Sequence, residues 1–139
     1  SVKELDDESF CNCINLIEAN FENCVELKNS IFKNCIKLET INFPKVEVLS
    51  MEVFKNTSLK KVELNSVISL RNYFFSSVYN PGKQFSNCAE LTHVTMKNIT
   101  YIDIKMFENC PLYQYIFYKL NKSLNKLNKS LNNVHHFRY

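Results

Sequence analysis

The chain has 139 residues, enough for one domain, and its 45% of hydrophobic residues is ample for a core and argues against disorder. A single glycine, Gly82, and three prolines leave no material for glycine-rich phosphate loops or dinucleotide fingerprints, which weighs against nucleotide-dependent enzymes. The net charge of +3 is mild but uneven: residues 119–139 carry Lys119, Lys122, Lys126, Lys129 and Arg138 and no acid, which reads as a solvated polar face rather than a nucleic-acid or lipid site.

In chain order the dominant feature is repetition. Phe10, Phe21, Phe32, Phe43 and Phe54 stand eleven residues apart, so the chain is read as a repeat array before anything else. Phe10, Phe32, Phe54, Phe85 and Phe107 form one column, followed two residues on by Asn12, Asn34, Asn56, Asn87 and Asn109. Cys13, Cys35, Thr57, Cys88 and Cys110 come next, then Leu16, Leu38, Leu59, Leu91 and Leu112. Two further apolar columns are Ala19, Ile41, Val62, Val94 and Tyr115, and Phe21, Phe43, Leu64, Met96 and Phe117. Val2 and Leu5 match Val46 and Leu49, so the array opens on the tail of a unit. The period is about 22 residues, and the copies starting at Phe54 and Phe107 are one residue short between Asn and Leu.

The alternating apolar positions at the end of Leu38 to Phe43, Leu59 to Leu64 and Leu91 to Met96 predict one strand per turn. One strand per period cannot form hairpins. It stacks in parallel with its counterparts, the other residues making the return path, and neighbouring turns cover each other's apolar column. Residues 1–118 are therefore expected to form a β-rich solenoid with an insertion near 76–84, where the period breaks around Asn80-Pro81-Gly82. Beyond it, Leu120, Leu124, Leu127, Leu131 and Val134 are spaced four and three apart, which predicts an amphipathic helix within 119–139. That helix is expected to cap the last turn and to end in a frayed tail. A dimer through 119–134 is the alternative to a monomer.

The run Phe32-x-Asn34-Cys35-x-x-Leu38-x-x-Ile41-x-Phe43-Pro44, followed by Val46, Leu49 and Phe54, resembles the BspA-like class of leucine-rich repeats over about residues 2–117. The resemblance implies a right-handed solenoid with short strands on the concave side. It implies a binding or adhesion role and does not imply catalysis.

The shared cysteine column, with Thr57 inside it, reads as small buried hydrophobes. Cys24 sits where other copies hold Val or Ile. Cys11-x-Cys13 alone is a weak zinc signal, and His93, His135 and His136 have no nucleophile or acid arranged around them. Neither a cofactor nor an enzymatic activity is expected. Unpaired thiols favour a reducing, cytoplasmic site, with the cell surface as the alternative. The asparagine column is read as structural, its side chains satisfying backbone groups where the chain enters each strand.

If Ile41 and Phe43 face inward, Thr40 and Asn42 face outward. The same rule puts Glu18, Asn20, Lys61, Glu63, His93, Thr95, Gln114 and Ile116 on one ladder. This is the candidate surface of a protein–protein interaction module. The second reading is an adhesive or structural segment of a longer cell-surface repeat protein.

Overall fold

The computed structural model describes residues 2–71, 73–75, 78–99 and 102–112, together with 122, 125–127 and 129. In chain order the strands are β1 (Glu4–Leu5), β2 (Glu18–Asn20), β3 (Glu26–Leu27), β4 (Thr40–Asn42), β5 (Val48–Leu49), β6 (Lys61–Glu63), β7 (Ser69–Leu70), β8 (Tyr73–Phe75), β9 (Val78–Asn80) and β10 (His93–Thr95). A 3-10 helix, Ile104–Phe107, follows, its first turn capped by the Asp103 carboxylate accepting from Lys105 N–H at 2.8 Å.

The molecule is a parallel β-solenoid, as the period requires, but three successive turns hold two short strands (β2 and β3, β4 and β5, β6 and β7) where the sequence predicts one. β2 pairs with β4 at Ala19↔Ile41, and β6 with β10 at Val62↔Val94, so the apolar columns are in register. The second ladder is β1-β3-β5-β7, all parallel, with Leu5, Leu27, Leu49 and Leu70 aligned. Its side chains come from the second half of each unit. There the apolar pair is too short to look like a strand alone, yet the next turn supplies a partner for it.

The return side is also hydrogen-bonded between turns. The N–H groups of Phe10, Phe32, Phe54 and Phe85 reach the carbonyls of Ile31, Val53, Gln84 and Met106 in the following turn. Asn12, Asn34, Asn56 and Asn87 do the same to Lys33, Lys55, Ser86 and Glu108. To present alternate N–H groups along the stack, the backbone passes repeatedly through the left-handed region. All five column asparagines lie there, with φ of 63°, 62°, 59°, 60° and 60°. Asn tolerates that region better than other residues with a Cβ, whereas Gly82 has no positive φ. A second left-handed column, Glu8, Ser30, Glu52 and Lys83, sits four residues before the first. Its residue types do not favour the conformation, so the inter-turn hydrogen bonds must hold it.

The asparagine side chains differ from expectation. They do not serve the strand entry but bond each other: Asn34 Nδ2 to Asn12 Oδ1 at 2.9 Å, Asn56 to Asn34 at 3.2 Å, and Asn109 to Asn87 at 2.8 Å. Stacked identical amides satisfy donor against acceptor at these three steps, which an isolated turn could not do.

Inside, the Phe column forms a continuous stack. Ring centroids are 5.4 Å apart for Phe10–Phe32, 5.8 Å for Phe32–Phe54, 5.3 Å for Phe54–Phe85 and 5.7 Å for Phe85–Phe107. Phe21 and Phe43 stack beside it at 6.0 Å. Phe32, Phe54 and Phe85 are completely buried, each worth about 1.5–3 kcal/mol of transfer free energy. Phe10, Cys13, Leu16 and Phe21, in the first turn, are only partly covered.

At the period break, expected near 76–84, an antiparallel hairpin forms from β8 and β9, with Phe74 paired to Tyr79. At the C-terminus the described residues 122, 125–127 and 129 are helical, but Leu127, expected on a buried stripe, is 51% exposed. The stretch is rich in Asn and only two heptads long, so its intrinsic helix stability is marginal. Leu120, Leu124, Leu131 and Val134 lie outside the described residues, as do Tyr115 and Phe117.

Candidate functional site

The strand alternation sets the outward face. Glu18, Asn20, Thr40, Asn42, Lys61, Glu63 and His93 are exposed and Thr95 is half-buried, while Ala19 and Val62 between them are buried and Ile41 and Val94 partly so. Gln114 and Ile116, the last pair expected on this ladder, lie outside the described residues; the chain is helical at 111–112. Register places Glu18 beside Thr40, Asn20 beside Asn42, Lys61 beside His93, and Glu63 beside Thr95. Asn42 Nδ2 donates to Asn20 Oδ1 at 3.0 Å, repeating on this face the amide pairing of the return side. Thr92 Oγ1 donates to the Lys60 carbonyl at 3.3 Å and lies 2.9 Å from His93 Nδ1.

The ladder is not continuous. Between β2 and β4, Phe21 N–H bonds the Asn42 carbonyl at 3.1 Å; between β6 and β10, Leu64 N–H bonds the Thr95 carbonyl at 2.8 Å. The equivalent bond between β4 and β6 would join Phe43 N–H to the Glu63 carbonyl, and it is not made. The cause lies upstream in the short copy. With one residue fewer between Asn56 and Leu59, Ser58 is drawn over the preceding turn, and its N–H takes the Leu38 carbonyl at 3.0 Å. The following strand is displaced from its neighbour. The other ladder recovers: Val48 and Leu49 pair normally with Ser69 and Leu70. A cleft of about 520 Å³ results, lined by Ile41, Asn42, Phe43, Pro44, Lys61, Glu63 and Asn65. The sequence displays the missing residue, but its effect on the ladder is visible only in three dimensions.

The thiols are structural in geometry. All six cysteines are free. Cys35, Cys88 and Cys110 donate to the carbonyls of Phe10, Phe54 and Phe85 in the preceding turn at 3.0, 3.0 and 2.8 Å. Thr57 Oγ1 lies 3.3 Å from Cys88 Sγ, a hydroxyl in the same column. Burial pushes the Cys35 thiol up to about 11 and raises that of Cys24. Hydrogen bonding to Cys88, and then burial, pushes the Cys110 thiol up. Such groups are poor nucleophiles and poor metal ligands at neutral pH. Among the described residues no three metal-ligating side chains gather, and no helix is long and apolar enough to cross a membrane.

Two inter-turn ladders, an inter-turn hydrogen-bonded return side and a stacked phenylalanine core define a repeat solenoid, a fold that is typically non-enzymatic. Residues 3–133 match the BspA type leucine rich repeat region in six copies, and the chain belongs to that family. Its members are generally repeat modules of surface or interaction proteins. Neither the curated proteins nor the solved structures gave a match.

Proposed function

We propose that this chain is a non-catalytic protein-recognition module, and that the outward face of β2, β4, β6 and β10 is its binding surface. The supporting observation is that varied side chains stand exposed on a fixed frame, with Glu18, Asn20, Thr40 and Asn42 on one side of the cleft and Lys61, Glu63 and His93 on the other. Regular spacing with variable chemistry is how solenoids make extended recognition surfaces. The face carries acid, base and amide groups together, so it suits a folded protein partner of mixed polarity better than nucleic acid.

The test is comparative capture. Wild-type protein and a Lys61→Glu, Glu63→Lys, His93→Ala variant are immobilised, and bound proteins are quantified after matching the two folds by circular dichroism. Selective loss of one or more proteins from the variant supports the surface; identical capture by both contradicts it.

A further inference from the structure

Charge is divided unevenly between the first turn and the C-terminal segment. Residues 1–26 hold seven acids and one lysine, a net charge of −6, whereas residues 119–139 hold five bases and no acid. Asp6 pairs with Lys28 at 3.6 Å and Glu26 with Arg71 at 3.2 Å. Glu4, Glu8, Glu18 and Glu22 are exposed and form no ion pair among the described residues. The first turn is also apolar on its outside. Val2, Ile14, Ile17 and Val25 are half of the large apolar side chains exposed among the described residues. Ile17 is 58% exposed where later turns hold Glu39, Lys60 and Thr92, all exposed. Its position therefore faces solvent in those turns too and is not a core position left bare at the end of the stack. Ile14 and, one turn on, Ile36 are exposed beside it. The three isoleucines make one apolar patch, rimmed by Glu18, Glu39 and Lys37.

We infer that this patch receives the 119–134 segment of a second copy of the chain, giving a head-to-tail assembly. The described residues of that segment, 122, 125–127 and 129, are helical, and Leu127 is 51% exposed. In the sequence Leu120, Leu124, Leu127 and Leu131 recur at intervals of four, three and four, the spacing of one side of a helix, and Lys122, Lys126 and Lys129 fall on the other side. Ile14, Ile17, Ile36 and Leu127 all stand exposed in the single chain, and burying them against one another drives the association. Charge then selects the arrangement. Patch against patch brings together two turns of charge −6, and segment against segment two stretches of charge +5, whereas segment against patch joins opposite charges. The lysines lie away from the leucines, so they steer the encounter over a distance rather than pair with particular acids. The patch lies in the first two turns and the segment follows the last, so donor and acceptor surfaces sit at opposite ends of the stack. Such a contact is heterologous and repeats from copy to copy.

This contact is separate from the outward face of the proposed function. Sedimentation velocity of the full chain from about 5 to about 500 µM should show a mass that grows with concentration past the dimer, as a weak, open-ended contact requires. Two variants alter only exposed side chains, where substitution has little effect on folding. Ile14→Ser with Ile17→Ser disables the patch, and Leu127→Asp disables the segment. Each variant alone should associate at least about tenfold more weakly than wild type. Mixed one to one, they should form a dimer and nothing larger, because the first supplies only a working segment and the second only a working patch. Raising salt from about 0.05 to about 0.5 M should slow the association, since screening shortens the reach of the charges. A wild-type chain that stays monomeric across the range overturns the proposal. So does wild-type association by either variant, a mixture that stays monomeric or grows past the dimer, or a rate indifferent to salt. The Lys61, Glu63 and His93 variant should associate as wild type does. Its failure to associate would move the contact to the outward face and overturn this one, while the capture experiment tests that face independently. Vesicles of anionic lipid supply the remaining outcome: binding that needs Leu127 but not Ile14 and Ile17, by a chain that stays monomeric, assigns the segment to a membrane surface instead.

Discussion

Asn34 and Asn12 lie 22 residues apart in sequence, yet the Asn34 amide nitrogen is 2.9 Å from the Asn12 amide oxygen, and both backbones are left-handed at φ of 62° and 63°. One residue type thus performs two tasks at each turn. It tolerates the backbone that a β-carbon normally disfavours, and it links its own turn to the next.

That double role separates two substitutions. Asn34→Ala keeps a Cβ in the left-handed region, at a cost of about 1–2 kcal/mol, and breaks the amide pairs on both sides. Asn34→Gly relieves the backbone and loses only the pairs. Urea unfolding should show Ala clearly more destabilising than Gly. Equal losses would mean that the backbone conformation contributes nothing at this position.

The phenylalanine stack should dominate stability. Phe32→Ala and Phe54→Ala each remove a fully buried ring, a loss of about 3–5 kcal/mol from a typical total of 5–15 kcal/mol. Lys61→Ala, on the exposed face, should cost less than about 0.5 kcal/mol. Thermal melts of the three variants check this, and a similar shift for all would contradict the assigned facing of β6.

Much of this architecture was legible in the sequence, because period and alternation are properties of the chain. The columns from Phe10 to Phe107 and from Leu16 to Leu112 foretold the stack and the facing of β2, β4 and β6. The second strand ladder was not legible: Leu27 and Leu49 belong to two-residue strands that exist only because another turn lies beside them. The left-handed positions of Glu8, Ser30 and Glu52 carry no compositional signal either, since the inter-turn hydrogen bonds impose them. On the candidate face, the cleft depends on how a one-residue deficit before Leu59 propagates to Phe43 and Glu63.

The thiols predict alkaline sensitivity. Cys35 has an ordinary value of 9.0 that burial raises to about 11 in the folded chain. A raised thiol favours the neutral form in the fold, so its stabilisation is fully present below pH 9 and is lost as pH rises toward 11. Denaturant midpoints measured between those values should fall with pH, and Cys35→Val should make the fall shallower. Native thiol labelling should be slow for Cys24, Cys35, Cys88 and Cys110, all buried, and complete after unfolding.

Acid should act through Glu52. Burial opposes its ionisation, but the hydrogen bond and charge of Lys55 at 2.9 Å, then of Lys33 at 3.4 Å, outweigh it and lower its value below the usual 4.5. With the folded value depressed, its stabilisation is present above about pH 4.5 and is lost as pH falls through the folded value. Glu52→Gln should reduce the pH dependence of stability in that acid range, as followed by urea titrations at stepped pH.

The central claim is a stacked solenoid whose outward ladder is interrupted at one defined step. Amide hydrogen exchange at three equivalent positions measures it directly. Phe21 and Leu64 N–H groups are bonded across the ladder at 3.1 and 2.8 Å, and Phe43 N–H is not. Protected amides exchange only on opening of the structure, so Leu64 should exchange more than about tenfold more slowly than Phe43, although both side chains are buried. Equal protection of Phe43 and Leu64 would mean that β4 and β6 are paired, and the account of the cleft would be wrong.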